Sequence, residues 1–242
     1  MSLAADLKTI YSLAVASSHG ATHAERLESF YSAQAAGYDD FRRRLLQGRE
    51  ELFRMLPAPE RGSWLDMGGG TGGNLEFLGD RLARLAHVSV VDLAPSLLTV
   101  ARRRIAERGW TNVEAVEADV TTLAPSRGPA DVVTFSYSLT MIPDWFAAID
   151  RAYELLKPGG TIGVVDFYVS RKHAAAERTR HPWSTRTFWP AWFGHDNVHP
   201  SPDHLPYLAR RFEPLVVQER RAKVPYLPFV RAPYYIFLGR RA

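Results

Sequence analysis

The chain has 242 residues, of which 46% are hydrophobic and 23% charged, with a formal net charge of +4. That is enough to bury one domain's core, and too evenly balanced for a nucleic-acid footprint. It has no Cys, which excludes disulfides, zinc–thiolate centres and a thiol nucleophile, and it has no uncharged apolar run of membrane-spanning length.

The N-terminus places Asp6 before Lys8, with no basic start leading into an apolar stretch, so no export signal is expected and a cytoplasmic setting fits. Leu3, Leu7, Ile10, Tyr11 and Ala14 recur at helical spacing, and a second polar helix is expected from about Thr22 to Ala33. Residues 1–37 therefore read as a helical extension or lid, and 38–242 as the main domain. Within that domain a helix over Phe41–Leu56 closes at "PAPERG". A regular alternation follows: strand 63–67, a glycine-rich turn, a helix to about Leu85, strand 87–93, helix Pro95–Arg108, strand 113–118, strand 130–138, helix Asp144–Leu156, the turn "KPGG" and strand 161–169. Residues 170–201 break the rhythm with an aromatic and basic insertion, "HPWSTRTFWPAWFGHDNVH" at its centre. A helix over 202–211 and strands at 215–221 and 232–239 complete the chain. Strands alternating with helices of this length predict an α/β fold, a Rossmann-like, doubly wound, mostly parallel seven-stranded sheet whose ligands lie beyond the C-terminal strand ends.

The turn "WLDMGGGTGGN" fits two templates. Gly68, Gly70 and Gly73 satisfy the dinucleotide fingerprint G-x-G-x-x-G, and Asp66, Gly68, Gly70 and Gly72 satisfy the D-x-G-x-G-x-G of S-adenosylmethionine binders. In either template Asp92, closing the second strand, is placed to accept hydrogen bonds from ribose hydroxyls. Three features favour the second template. Asp66 suits an ammonium and would repel a pyrophosphate, the third strand ends in "EAD" with Asp119 placed for an adenine amino group, and "LLKPGG" leads into the fifth strand.

Over residues 38–170 these motifs resemble the class I S-adenosylmethionine-dependent methyltransferases. By that resemblance Gly68, Gly69, Gly70 and Thr71 line the methionine and ribose portion, with Asp66 at the ammonium. Asp92 and Leu93 take the ribose, Asp119 and Val120 the adenine, and Ser136 lies near the sulfonium, with Tyr38 of "GYDDF" closing the site. An aromatic wall attracts a sulfonium without competing as a nucleophile. The product would be S-adenosylhomocysteine.

The strings "DLAPSLLTVAR", "FSYSLTMIPDW", "GVVDFYVSRK", "TRTFWPAWFGHDNV", "SPDHLPYL" and "VPYLPFVRAPYYIF" are similar to those of the N-methyltransferases of bacterial betaine-lipid synthesis, over almost the whole chain after its first thirty residues. The resemblance implies three successive methyl transfers that convert diacylglyceryl-homoserine to diacylglyceryl-N,N,N-trimethylhomoserine. It also implies an upstream aminocarboxypropyl transferase, and a peripheral place on the inner face of the membrane.

For such chemistry Tyr137 and His181 are candidate orienters or weak bases, and Asp166 is a third candidate or only a strand-end carboxylate. An Arg fork would match the acceptor's carboxylate, and Arg186 is chosen from Arg171, Arg180, Arg186 and Arg231. The chain uses Lys only at 8, 157, 172 and 223, a bias that a GC-rich genome also produces. Trp183 and Trp189, with Tyr31 from the N-terminal side, are candidates to hold an increasingly methylated cation; the alternative is that these aromatics pack a satellite core. The amphipathic N-terminal segment and residues 171–189 are candidate membrane contacts. His195 and His199 flank Asp196, but Pro200 and Pro202 disrupt a helix there, and no metal is expected. The alternatives are a phosphatidylethanolamine N-methyltransferase and, from another class, a noncatalytic module binding S-adenosylmethionine or lipid.

Overall fold

The computed structural model describes residues 22, 24, 25, 28, 45–124, 127–194, 197–224 and 227–242. Most of the proposed 1–37 extension, including Tyr31, lies outside these residues, as does Tyr38.

Seven strands form one sheet in the order β3-β2-β1-β4-β5-β7-β6. They are β1 Ser63–Met67, β2 His87–Asp92, β3 Val113–Glu117, β4 Ala130–Ser136, β5 Leu156–Phe167, β6 Glu213–Val224 and β7 Leu227–Arg240. β1 to β5 pair in parallel, while β7 runs antiparallel between β5 and β6. Strand order reverses between β1 and β4, which makes the C-terminal ends of those two strands the switch point where an open α/β sheet binds its ligand. The paired residues there are Asp66 and Thr134.

Local chemistry sets the helices. α1 (Arg49–Met55) leads into the sheet. A 3₁₀ helix, Gly73–Arg84, follows the glycine turn and is broken at Gly79, where φ is 53°. α2 (Pro95–Arg108) starts with Pro in its first turn and stops at left-handed Gly109. α3 (Trp145–Leu155) is capped by the Asp144 carboxylate, which accepts from the Ala147 N–H. One sheet face buries Phe53, Trp64, Leu75, Val88, Val132 and Phe167. The other buries Met67, Phe135, Ile149, Val164, Leu205 and Tyr235.

Three boundaries differ from expectation. "KPGG" lies inside β5, as an irregular start with a register shift between Ala130 and Val132 and Gly159 at φ 77°. The final hairpin strands are longer than the apolar patterning indicated. The aromatic insertion contains a helix, α4 (Trp183–Gly194), in spite of Pro190. Trp189 and Phe193, four apart, stack on each other at 5.2 Å, and Phe193 stacks on Phe167 at 4.5 Å. Tertiary packing of that inner pair outweighs the proline. α5 (His204–Arg211) then covers the opposite face.

Candidate functional site

The turn after β1 alternates left-handed glycines, with φ of 68° at Gly68, 57° at Gly70 and 69° at Gly72. Gly68 is further constrained: a Cβ there would lie 2.5 Å from the Ser138 Cβ, so the glycine turn rests directly on the loop leaving β4. Gly68 and Gly69 N–H groups donate to the Val91 carbonyl, which fixes the turn against β2. At Gly70 the N–H donates to Asp92 Oδ2 at 2.9 Å, while Ala94 N–H donates to Oδ1 at 3.0 Å. Both oxygens of Asp92 are therefore oriented by backbone donors.

Asp66 is wholly buried at the end of β1. It accepts from Thr134 Oγ1 at 2.7 Å and from Asn74 Nδ2 at 3.3 Å. Burial, and then the nearby Asp92 charge, push its carboxyl up to about 6, against the two hydrogen bonds and the Arg49 guanidinium. A ligand ammonium brought beside it would favour the ionised form, and this is the chemistry that S-adenosylmethionine's methionine end requires. Asn74 Oδ1 accepts from Arg49 Nη1 and Ser136 Oγ, both at 3.4 Å, so α1, the 3₁₀ helix, β1 and β4 share one polar network. Asp119 is exposed beyond β3; its Oδ1 accepts from Thr121 N–H and Oγ1, a turn that presents the carboxylate at a fixed angle. Val120 beneath it is buried and Leu93 is half-buried. Thr71 is held from α2 by Arg104, which donates to its carbonyl and to Oγ1. Of the residues expected to hold the cofactor, Asp66, Gly68, Gly69, Gly70, Thr71 and Ser136 lie at the switch point, Asp92, Leu93, Asp119 and Val120 follow the ends of β2 and β3, and Tyr38 lies outside the described residues; the donors and acceptors present are of the kind S-adenosylmethionine needs.

Sequence reasoning missed Asn74, Arg104 and Thr134, while Ser138 is expected from sequence beyond the end of the fourth strand. Asn74 follows the glycines directly and was readable there; the others depend on which strands become neighbours. It also missed Glu28, whose carboxylate accepts from Ser96 N–H and supplies the cap that Ala94 cannot give α2.

The acceptor side corrects several expectations. Tyr137, at φ 54°, is buried; its hydroxyl donates to the Gln47 carbonyl at 2.6 Å and its ring meets Phe167 edge-on. Burial, with the Asp166 charge added, drives the phenol well above its ordinary range, so Tyr137 is a fastener between β4 and the entry to α1 and not a base. His181 accepts from Ser170 N–H at Nδ1, and its own N–H donates to Ser170 Oγ. This reciprocal pair, made by Nδ1 and the backbone N–H of His181, closes the 171–180 loop, and burial lowers the ring's pKa. Asp166 pairs in register with Tyr235 on the sheet face opposite the glycine turn's helix. It accepts from Thr140 N–H at 3.1 Å and Thr140 Oγ1 at 2.8 Å, and burial raises it to about 7. It positions the 3₁₀ turn Leu139–Met141, to whose Thr140 carbonyl His199 N–H also donates.

Trp189 is buried in the α4 stack, which makes it core. Trp183 is 73% exposed, too open to wall an enclosed cation. Arg186, between them on α4, is half-buried, and its Nε–H is buried with no hydrogen-bond partner. Among the described residues no group of three metal-ligating side chains occurs; His195 and Asp196 lie outside them. The side chains reaching the ends of β4 and β5 can therefore orient and dehydrate a nucleophile, while Tyr137, His181 and Asp166 are committed elsewhere.

Residues 65–160 match the family model described as a methyltransferase domain. The chain is 32% identical over 122 residues to the ubiquinone/menaquinone biosynthesis C-methyltransferase UbiE of Brucella anthropi, covering 49% of this chain and 46% of that protein. It is 24% identical over 147 residues to the demethylmenaquinone methyltransferase of Lactococcus lactis, covering 59% and 58%. The chain thus spans about half the length of these relatives. Among solved structures, the N-methyltransferase NodS of Bradyrhizobium japonicum, in complex with S-adenosyl-L-homocysteine, superposes with a TM-score of 0.59 at 15% identity, covering 84% of this chain and 97% of that one. The [4+2]-cyclase SpnF superposes with a TM-score of 0.65 at 17% identity, covering 93% and 99%. A methyltransferase and a cyclase on one architecture show that the fold alone does not name a reaction. Residues 65–160 thus match a methyltransferase-domain model, and the seven-stranded sheet that contains them has the class I methyltransferase fold.

Proposed function

We propose that the chain is an S-adenosylmethionine-dependent N-methyltransferase that converts diacylglyceryl-homoserine to its trimethylated betaine lipid. S-adenosylmethionine, when bound, supplies a methyl group on a sulfonium. Each transfer would form a nitrogen–carbon bond as the methyl–sulfur bond breaks; after the first and second the new ammonium gives up one proton to water, and the third, on a tertiary amine, leaves the permanent cation and releases none. The chain's part is to bind, align and dehydrate: Asp66, Gly68–Thr71 and Asp92 for the donor's methionine and ribose, Asp119 and Val120 for its adenine, Ser136 beside the reacting centre. An amine that arrives neutral needs no strong base, which suits a site whose described candidate bases are tied into the fold.

The observation that carries the choice of acceptor is the buried Arg186 Nε–H without an acceptor. A guanidinium so placed on the helix beyond β5 offers a charge-assisted fork to the carboxylate beside the homoserine amine. Phosphatidylethanolamine has the amine but no carboxylate beside it, and could offer the guanidinium only the phosphate at the far end of its ethanolamine. By the same reading the enzyme works at the inner face of the membrane, on lipid made by an aminocarboxypropyl transferase. No helix of the described residues is long and apolar enough to cross a membrane.

The relatives' names favour a second reading, C-methylation of a quinone precursor. The family match ends at residue 160, before α4, and so speaks for the donor half more than for the acceptor. Vesicles carrying diacylglyceryl-homoserine, phosphatidylethanolamine or a demethylated quinol, each assayed with methyl-labelled S-adenosylmethionine, separate the readings. Label is expected in the homoserine lipid, with Arg186→Gln raising its KM; label only in the quinol or phosphatidylethanolamine overturns the proposal.

A further inference from the structure

We propose that the outer face of α4 is a docking surface that inserts into the headgroup region of an anionic bilayer. The inner face of this helix is accounted for by Trp189 and Phe193. Its outer face carries Trp183 at 73%, Phe188 at 45% and Trp192 at 49% exposure, three of the five large apolar side chains exposed among the described residues. Phe188 and Trp192, one turn apart, lie against each other at 5.5 Å and form a single apolar ridge.

Three observations select a bilayer as the occupant. First, the twelve residues of α4 include one Arg and no acid, so the exposed ridge has no carboxylate that headgroup phosphates would repel. Second, charge is concentrated beside it: residues 171–194 contain five Lys or Arg and one Glu, a net +4 that equals the formal charge of the entire chain, so the rest of the molecule is neutral. Lys172 and Arg180 are exposed, and Arg171 is half-exposed while paired with Asp203. Third, Trp and Phe with flanking Arg are the side chains that favour the boundary between headgroups and acyl chains, where an indole is half wet and an Arg stem can snorkel. At about 1.5 Å per residue a twelve-residue helix is far too short to span a bilayer, so it lies in the interface.

The helix packs its inner face on Phe167 at the C-terminal end of β5, the side of the sheet on which an open α/β fold binds its ligands. The proposal deepens the reading of a lipid acceptor and rests on it for its purpose; binding is read apart from turnover, so the two fail separately.

The test is co-sedimentation of the full chain with vesicles of phosphatidylcholine alone, and of phosphatidylcholine with phosphatidylglycerol in equal parts. Wild type is expected to bind the anionic vesicles and to weaken as salt is raised. Phe188→Ser/Trp192→Ser is expected to lose about tenfold or more in partitioning while its circular dichroism and melting temperature stay within error, because both side chains are surface groups. Quenching of Trp fluorescence by brominated lipid in wild type, lost on Trp183→Phe/Trp192→Phe, gives a readout that does not depend on folding. Absent binding, binding indifferent to lipid charge, or a double-Ser variant that binds like wild type overturns the proposal. So does a concentration-dependent dimer in gel filtration that the double-Ser variant abolishes, since the ridge would then be covered by a second copy.

Discussion

Replacing Gly68 by Ala probes the joint between the glycine turn and the loop leaving β4. Two costs follow from its geometry. Gly68 has φ 68°, and an L-residue in the left-handed region costs about 1–2 kcal/mol. Its new Cβ would lie 2.5 Å from Ser138 Cβ and 2.9 Å from Ser138 Oγ, an overpacking worth about 1–3 kcal/mol. Gly68→Ala alone should therefore lose about 2–5 kcal/mol. Ser138→Gly alone gives up the hydrogen bond from Ser138 Oγ to the Met67 carbonyl, about 1 kcal/mol. In the double variant the clash is gone while the backbone strain and the lost hydrogen bond remain, so the two changes should couple by about 1–3 kcal/mol. Urea denaturation of the four proteins without ligand measures the cycle. Additive losses would refute the contact, and an unchanged Gly68→Ala would refute both the contact and the left-handed turn.

His204 is wholly buried with both ring nitrogens unpartnered, packed edge-on against Trp145. His204→Phe should be neutral or stabilising by about 1 kcal/mol at pH 8, and a loss beyond that would reveal a hidden partner. Burial holds His204 at about 3 against an ordinary 6.5, so its contribution is full above pH 6.5 and is lost as pH falls towards 3; the variant's advantage should grow between pH 6.5 and 5 in denaturation curves. Asp166 has the opposite sign: raised from 3.8 to about 7, its contribution is full below pH 3.8 and is lost as pH rises through 7, so Asp166→Asn should remove a downward slope of several kcal/mol across that window. Tyr137→Phe should cost about 1 kcal/mol of stability and leave turnover within a few-fold, whereas a hundredfold loss of kcat with intact stability would reinstate Tyr137 as a base.

The sheet, its order of elements and the glycine turn were legible in the sequence because each rests on local chemistry: buried Val/Ile runs for parallel strands, Pro95 and Gly109 as helix punctuation, and glycines at the positive φ angles of the turn after β1. Asp66, Asp92 and Asp119 were legible for the same reason, since each closes a strand next to a turn. Tyr137, His181 and Asp166 are less legible, because residue type and place in the chain say nothing of partners, and for Asp166 the sequence left the strand-end carboxylate open beside the base. What each does is decided by Gln47, Ser170 and Thr140, and only folding brings those partners into reach. α4 was hidden by Pro190 and by aromatics on two faces, one buried and one exposed, which blur the helical period. Residue type alone does not separate Arg186 from Arg171, Arg180 and Arg231; among these four described residues it is the one whose Nε–H is buried without a hydrogen-bond partner.

The central claim, trimethylation of a homoserine lipid amine, is tested most directly by mass spectrometry of lipids from cells that make this chain with and without an aminocarboxypropyl transferase that forms diacylglyceryl-homoserine. The account predicts trimethylated homoserine lipid only when both are present, with mono- and dimethylated forms as intermediates. Homoserine lipid that accumulates unmethylated beside the folded chain, with methyl groups arriving instead on a quinone or on phosphatidylethanolamine, would contradict it.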